Sequence, residues 1–250
     1  MTEGTEVTIV ARPENLERVG AELASKVAAR RDELIDATSA DLRFPPADMC
    51  REVDRAISSL RHLALAWPWI KGRAPICDPG ESVALLLPYN LGALALQFVA
   101  SLTVVGNPVT VRFSSRAPTL ARLCKEILAA MALPAPVRLD TRPAREFLHD
   151  VLTDSTHPVL LAYGGHHLGE ELLSGPPGTK IIFEGPGKDP LVVGHDADPK
   201  RVADILRRSK FSRCGQECIA TERVVLINEQ PDVLDAIVEL ATGLHASPDW

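Results

Sequence analysis

The sequence lacks an excess of positive charge: 27 lysines and arginines are outnumbered by 33 aspartates and glutamates, and the net charge is −6. A protein that binds nucleic acid needs a basic face, so this composition argues against that class. The N-terminal segment MTEGTEVTIV also lacks a basic stretch followed by an apolar run, so it does not have the pattern of a signal peptide.

Cysteine is sparse and odd in number, with single residues at positions 50, 77, 124, 214 and 218. Without a secretory segment, this usage predicts reduced thiols in the cytoplasm rather than a framework of disulfides. Internal repeats and low-complexity tracts are absent as well, so we expect an ordinary globular chain.

Charge is missing altogether from residues 82–111. That length permits a membrane-spanning helix. However, proline, asparagine and glycine interrupt the stretch at 88–92 and 106–108. A buried parallel strand–helix–strand unit explains the missing charges better, because its strands are covered on both faces. We therefore predict no membrane span and no membrane partner.

Hydrophobic periodicity predicts two N-terminal helices, at 15–37 and 49–66, followed by alternating strands and helices. The five strands of the alternating part are predicted at 83–87, 108–113, 136–140, 158–163 and 179–184. The helices between them are predicted at 91–105, 117–132, 143–153 and 166–174. This rhythm predicts an α/β fold with a Rossmann-like parallel sheet, which binds ligands at the carboxyl ends of its strands.

The remaining segment, residues 185–250, has the pattern of a second α/β unit that is incomplete. Only two strands are predicted in it, and two strands are too few for an independent sheet. The strands are predicted at 190–193 and 223–227, and the helices at 199–209, 212–220 and 231–242. We therefore divide the chain into residues 1–184 and residues 185–250.

Two residues have a pattern that suggests chemistry. Cys218 follows turn residues and Arg213 and lies in the predicted helix 212–220. A helix N-terminus and nearby cations favour the nucleophilic thiolate. Glu184 ends an apolar strand directly before a Gly-Pro-Gly turn, a position suited to a general base. Composition alone also allows a buried, inert Cys218 and a surface ion pair between Glu184 and Lys188.

Five segments follow one another in a diagnostic order. They are REVDRAI at 51–57, LPYN at 87–90, GNPV at 106–109, FEGPGKDP at 183–190 and GQECIA at 215–220. They resemble motifs of the aldehyde dehydrogenase family: the helix before the coenzyme domain, Pro-Trp-Asn, Gly-Asn-x-Val, Glu-Leu-Gly-Gly-Lys-x-Pro and Gly-Gln-x-Cys-x-Ala. The resemblance covers residues 14–242, and by it the chain is identified as a member of that family.

The resemblance implies an oxidoreductase that oxidises an aldehyde to a carboxylic acid. In this role Cys218 attacks the aldehyde, and the side chain of Asn90 and the backbone N–H of Cys218 hold the oxyanion. Glu184 activates the water that hydrolyses the thioester. Because hydrolysis needs such a base, Glu184 disfavours transfer to coenzyme A and an acyl reductase running towards the aldehyde.

The resemblance also implies NAD or NADP as coenzyme. The residues carried over to its site are Pro88, Tyr89, Arg112, Ser114, Ser115, Arg116, Gly164, Gly165 and Gly169. Arg112 replaces the usual lysine at the ribose, and Ser115 replaces a glutamate that binds the ribose hydroxyls in many NAD-preferring members. Losing that carboxylate and gaining Arg116 beside it predicts that NADP is tolerated or preferred; the alternative is a solvated turn.

Gly164 and Gly169 frame a helix start at which the family has Gly-Ser-Thr-x-x-Gly. Here His166 and His167 follow Gly165. Adjacent histidines on a helix project in different directions, so we predict no metal site.

The family members that this chain resembles continue for about as many residues again. Residues 1–184 are therefore predicted to be the N-terminal helices and coenzyme domain, and residues 185–250 a partial catalytic domain with an exposed apolar face. Such a face predicts a homo-oligomer or a complementary chain, besides the aldehyde itself. The alternative function is a non-catalytic module that binds a nucleotide or regulates.

Overall fold

The computed structural model of the chain describes residues 13–68, 81–154, 157–175 and 178–244; Cys77 lies outside them. It begins with three helices, α1 (Pro13–Ala29), α2 (Arg31–Leu42) and α3 (Pro46–Arg61), and a 3₁₀ turn at Leu63–Ala66.

The prediction of one continuous helix at 15–37 is wrong, because the chain breaks at Arg30, which has φ −116° and ψ 23°. The guanidinium of Arg30 pairs with Glu33, at 2.6 Å, and with Glu126 in a later helix, at 2.7 Å. The break separates α2 from α1, and α2 packs on the later helix that contains Glu126.

From residue 83 onward, strands and helices alternate as predicted. The strands are β1 (Val83–Leu86), β2 (Val109–Arg112), β3 (Val137–Leu139), β4 (Val159–Tyr163) and β5 (Lys180–Glu184). The helices are α4 (Ala95–Val104), α5 (Pro118–Ala129), α6 (Ala144–Thr153) and α7 (His166–Leu173). All strands are parallel and lie in the order β3-β2-β1-β4-β5, which confirms the predicted α/β fold.

The central strand β1 is buried on both faces because helices cover the sheet on either side. Leu85 points into a core formed with α1–α5, whereas Ala84 and Leu86 pack against Phe147 of α6 and Leu172 of α7. This double cover explains the charge-free stretch 82–111, which forms β1, α4 and β2. Within the described ranges, no helix has both the length and the apolar character needed to cross a bilayer.

A second, smaller sheet follows the first. It contains β6 (Asp189–Val193) and β7 (Thr221–Leu226), which are parallel and are connected through α8 (Pro199–Ser209); α9 (Pro231–Gly243) ends the described chain. Both helices pack on one face of this sheet, around Val193, Val202, Leu206 and Val233. The first sheet ends at Glu184 and the second begins at Asp189, whereas the division into domains stays a prediction.

Candidate active site

The candidate site lies where the order of strands reverses. The chain runs from β1 outward to β2 and β3 and then returns to β4 on the opposite side of β1. At such a switch point the loops after the two central strands diverge and leave a crevice for ligands. Here these loops begin at Pro88 after β1 and at Gly164 after β4.

The loop after β1 connects the first sheet to the cysteine segment. It forms a 3₁₀ turn at Tyr89–Leu94. The side-chain amide of Asn90 donates a hydrogen bond to the carbonyl of Gln216 at 2.6 Å, and the hydroxyl of Tyr89 donates to the Gln216 side chain at 2.7 Å. The predicted oxyanion donor therefore lies against the backbone two residues before Cys218.

Residues 212–220, here called the cysteine turn, are not the helix that the sequence predicts. A 3₁₀ turn spans only Ser212–Gly215, and Cys218 lies in an irregular turn just before β7. Arg213 and Cys214 adopt left-handed backbone, with φ of 51° and 56°, which prevents a regular helix here. Cys218 is exposed, which contradicts the alternative of a buried thiol, and no helix N-terminus lies at it.

Glu184 ends β5, and the loop after it packs directly on the cysteine turn. The backbone N–H of Gly187 donates to the carbonyl of Cys218 at 3.0 Å. A Cβ at position 187 would lie 2.1 Å from that carbonyl oxygen, so only glycine allows this contact. Tyr163 of β4 pairs with Glu184 in register; burial, together with the negative charges of Glu184 and Cys218, raises the pKa of its hydroxyl to about 12.

The predicted pyrophosphate site lies at the start of α7. Gly165 is the N-cap of this helix, no side chain caps it, and a Cβ there would meet no atom within 4 Å. Gly169 has a different reason to be glycine, because a Cβ there would lie 2.7 Å from the ring of Phe183 in β5. His166 and His167 are both exposed.

The predicted ribose-binding residues separate into two groups. Ser114 accepts a hydrogen bond from the backbone of Arg116 at 3.2 Å, and the Arg116 guanidinium stacks 4.0 Å above the ring of Tyr89. Ser115 and Arg116 are exposed beside the crevice. Arg112, by contrast, is buried and donates to the carbonyl of Arg142 in the loop after β3. Its guanidinium is therefore partly occupied by the protein itself.

Sequence reasoning missed a charged group below the site. Glu52 of α3 is 5% exposed, and its carboxylate accepts a hydrogen bond from the backbone N–H of Ala93 at 2.6 Å. The available signal was its position on the apolar face of α3, with Met49, Val53 and Ala56 as buried neighbours. A carboxylate on such a face requires a buried partner.

Burial raises the pKa of Glu52 from 4.5 to about 7, against the opposing effects of the Arg213 charge and of the N–H groups of Ala93 and Leu94. Glu217 raises it further, and the buried thiol of Cys124 lies nearby. Because the folded state holds this proton more tightly than the unfolded chain, stability should fall as pH rises from about 4.5 to about 7.

We predict that ionisation of Glu52 lowers the free energy of unfolding by about 3 kcal/mol as the pH rises from about 4.5 to about 7. Urea unfolding of the wild-type protein and of Glu52→Gln, compared at several pH values, measures this contribution. The glutamine variant should lack the slope; equal slopes in both proteins would contradict the assignment to Glu52.

Comparison with known proteins assigns the chain to a family. Residues 7–248 match the model of the aldehyde dehydrogenase family. The chain is 23% identical over 222 residues to a lactaldehyde dehydrogenase of Methanococcus maripaludis, covering 83% of this chain and 48% of that protein. It is 28% identical over 256 residues to a 2-aminomuconic 6-semialdehyde dehydrogenase of a Pseudomonas species, covering 91% and 50%.

Solved structures agree on the fold. An NADP-dependent glyceraldehyde-3-phosphate dehydrogenase of Bacillus halodurans, complexed with NADP, superposes with a TM-score of 0.78 at 20% identity, covering 93% of this chain and 53% of that one. A betaine aldehyde dehydrogenase of Staphylococcus aureus, in complex with NAD+, gives 0.79 at 17%, covering 93% and 50%. The chain spans about half the length of the curated relatives it matches. The family match and the shared fold confirm the resemblance seen in the sequence, and the chain belongs to the aldehyde dehydrogenase family.

Proposed function

We propose that this chain is an oxidoreductase that oxidises an aldehyde to a carboxylic acid with NAD or NADP, using Cys218, Glu184 and Asn90. The observation that carries the proposal is the convergence of two segments on the cysteine turn. The amide of Asn90 bonds to the carbonyl two residues before Cys218, and the loop after Glu184 bonds to the carbonyl of Cys218 itself.

The first step uses the exposed thiol of Cys218. Its thiolate attacks the aldehyde carbon and forms a C–S bond, while the carbonyl oxygen becomes an oxyanion. Asn90 donates one amide hydrogen to the carbonyl of Gln216. In this proposal its second amide hydrogen and the backbone N–H of Cys218 hold the oxyanion. In other enzymes one such donor lowers the barrier by about 3–4 kcal/mol.

Hydrolysis completes the reaction. A nicotinamide coenzyme held in the crevice would supply the hydride acceptor, so that oxidation at the aldehyde carbon would leave a thioester on Cys218. Glu184 takes a proton from a water molecule that attacks this thioester, and the C–S bond breaks to release the acid and the thiolate. Glu184 is exposed at the end of β5, so water reaches it.

The described residues fit a dinucleotide across the crevice. The open N-terminus of α7 at Gly165 suits a pyrophosphate, because the first N–H groups of a helix bind anions. Tyr89, Ser115 and Arg116 line the neighbouring strand ends. In this proposal residues 1–184 hold the coenzyme, and residues 185–250 present the cysteine to it.

We predict that NADP serves at least as well as NAD, because no carboxylate stands at position 115 to repel a 2′-phosphate. Ser115→Glu should lower kcat/KM for NADP by about tenfold or more, a modest part of what a like-charge contact costs. Ser115→Gln, of similar size without the charge, is the control. A wild-type preference for NAD of about tenfold or more would contradict this prediction.

The function is tested by the production of reduced nicotinamide from a panel of short and long aldehydes. NAD and NADP are run separately, on purified protein whose fold is verified by circular dichroism. Turnover with either coenzyme supports the proposal. If folded protein binds the dinucleotide without turnover, the chain is instead a non-catalytic nucleotide-binding module.

One face of the second sheet favours an assembly with another chain. Val192 of β6 and Val225 of β7 are 59% and 46% exposed, and Ile227, directly after β7, is 60% exposed, although strands of parallel sheets are usually covered on both faces. We propose a homo-oligomer or a complementary chain over this face. Light scattering on the assayed sample gives its mass; a monomer with full turnover would contradict the need for a partner.

A further inference from the structure

A buried ion pair connects α3 to the cysteine turn. The guanidinium of Arg213 lies 3.5 Å from the carboxylate of Glu52, and the two side chains are only 8% and 3% exposed. Taking two charges out of water can cost more free energy than their mutual attraction recovers. Neither Arg213 Nε nor Glu52 Oε2 has a hydrogen-bond partner among the described residues. Stability alone is therefore a poor reason for this pair.

On one side, Glu52 holds the turn that carries Asn90. Its carboxylate accepts the backbone N–H of Ala93 and packs where a Cβ on Gly92 would lie, 2.1 Å from the nearer oxygen. The 3₁₀ turn Tyr89–Leu94 therefore rests on a carboxyl group that belongs to α3.

On the other side, Arg213 connects the cysteine turn to the same residues. Its guanidinium donates to the carbonyl of Asn90 and, at 2.8 Å, to the carboxylate of Glu217, the residue before Cys218. Arg213 has a left-handed backbone, and its N–H donates a hydrogen bond to the carboxylate of Asp48 in α3 at 2.7 Å. One planar side chain thus contacts both the 3₁₀ turn Tyr89–Leu94 and the cysteine turn.

We propose that Arg213 and Glu52 are positioning residues that set the Asn90 amide against Cys218. This inference rests on the function proposed above. Neither residue needs to touch the aldehyde: the forked guanidinium fixes the relative position of two loops whose N–H groups hold the oxyanion. An error of about 1 Å in such an arrangement can lower the rate about a hundredfold.

The kinetic test compares Arg213→Met, Arg213→Lys and Glu52→Gln with wild type. We expect Arg213→Met and Glu52→Gln to lower kcat per titrated Cys218 by about 10- to 100-fold, with KM for the coenzyme within about twofold. Arg213→Lys keeps the charge without the fork, so it should recover only part of the loss. Arg207→Met, which removes an exposed arginine paired with Asp204, should match wild type. An unchanged kcat in both Arg213→Met and Glu52→Gln would overturn the proposal.

A second measurement does not depend on turnover. Hydrogen exchange should become about tenfold faster in Glu52→Gln at the amides of 89–94 and 212–218, while the amides of β1 keep their wild-type rates. Uniform acceleration throughout the chain would mean a purely structural pair and would overturn the proposal. A local effect in a protein without any turnover would support the positioning role and refute the proposed function, so the two failures are distinguishable.

Discussion

Replacing Cys218 by serine should reduce aldehyde oxidation by at least about 10⁴-fold, the largest effect that we expect from one side chain. A hydroxyl gives up its proton far less readily than a thiol and is a much weaker nucleophile at neutral pH. The cysteine turn tolerates the change, because Cys218 is exposed and serine is slightly smaller. The measurement is the initial rate of reduced-nicotinamide formation at saturating coenzyme.

Cys214→Ser is the matched control for this experiment. Cys214 lies in the same turn and is also exposed, so its replacement tests for general damage to the turn. We expect a rate within about twofold of wild type, in the usual range for a surface substitution. If Cys214→Ser were inactive and Cys218→Ser active, the nucleophile would be misassigned.

Gly92→Ala should destabilise the protein by about 4 kcal/mol. Gly92 has φ 55° and ψ −137°, a conformation that alanine rarely adopts, and the new Cβ would lie 2.1 Å from the carboxylate of Glu52. Backbone strain and overpacking in a core each cost roughly 1–3 kcal/mol. Such a loss corresponds to a fall in Tm of about 10 °C for a chain of this size.

Thermal unfolding followed by circular dichroism measures the effect, with Gly243→Ala as control. A Cβ at Gly243 would meet no atom within 4 Å, and this glycine ends helix α9, so the control should be neutral or slightly stabilising. A Gly92→Ala protein as stable as wild type would show that the turn relaxes without cost. It would also mean that the close contact between Gly92 and the carboxylate of Glu52 is not needed to hold the turn that contains Asn90.

Local patterns in the sequence determined the elements and the family. Strands β1–β5 and helices α4–α9 lie within a few residues of their predicted places, because apolar periodicity and glycine or proline breaks are recorded residue by residue. The five motifs identified the aldehyde dehydrogenase family, and the family match confirms it. The roles of Cys218, Glu184 and Asn90 follow from those motifs and remain proposals.

Other features depend on contacts between residues far apart in the chain. The break at Arg30 accompanies its ion pair with Glu126, and the irregular cysteine turn is held by Asp48 and Glu52, more than 150 residues earlier in the chain. Likewise, Arg112 turns to a carbonyl after β3. A local pattern contains the preference of a segment but not the charge that it meets after folding. Only the tertiary structure therefore decided how Arg213 connects the 3₁₀ turn that contains Asn90 to the cysteine turn.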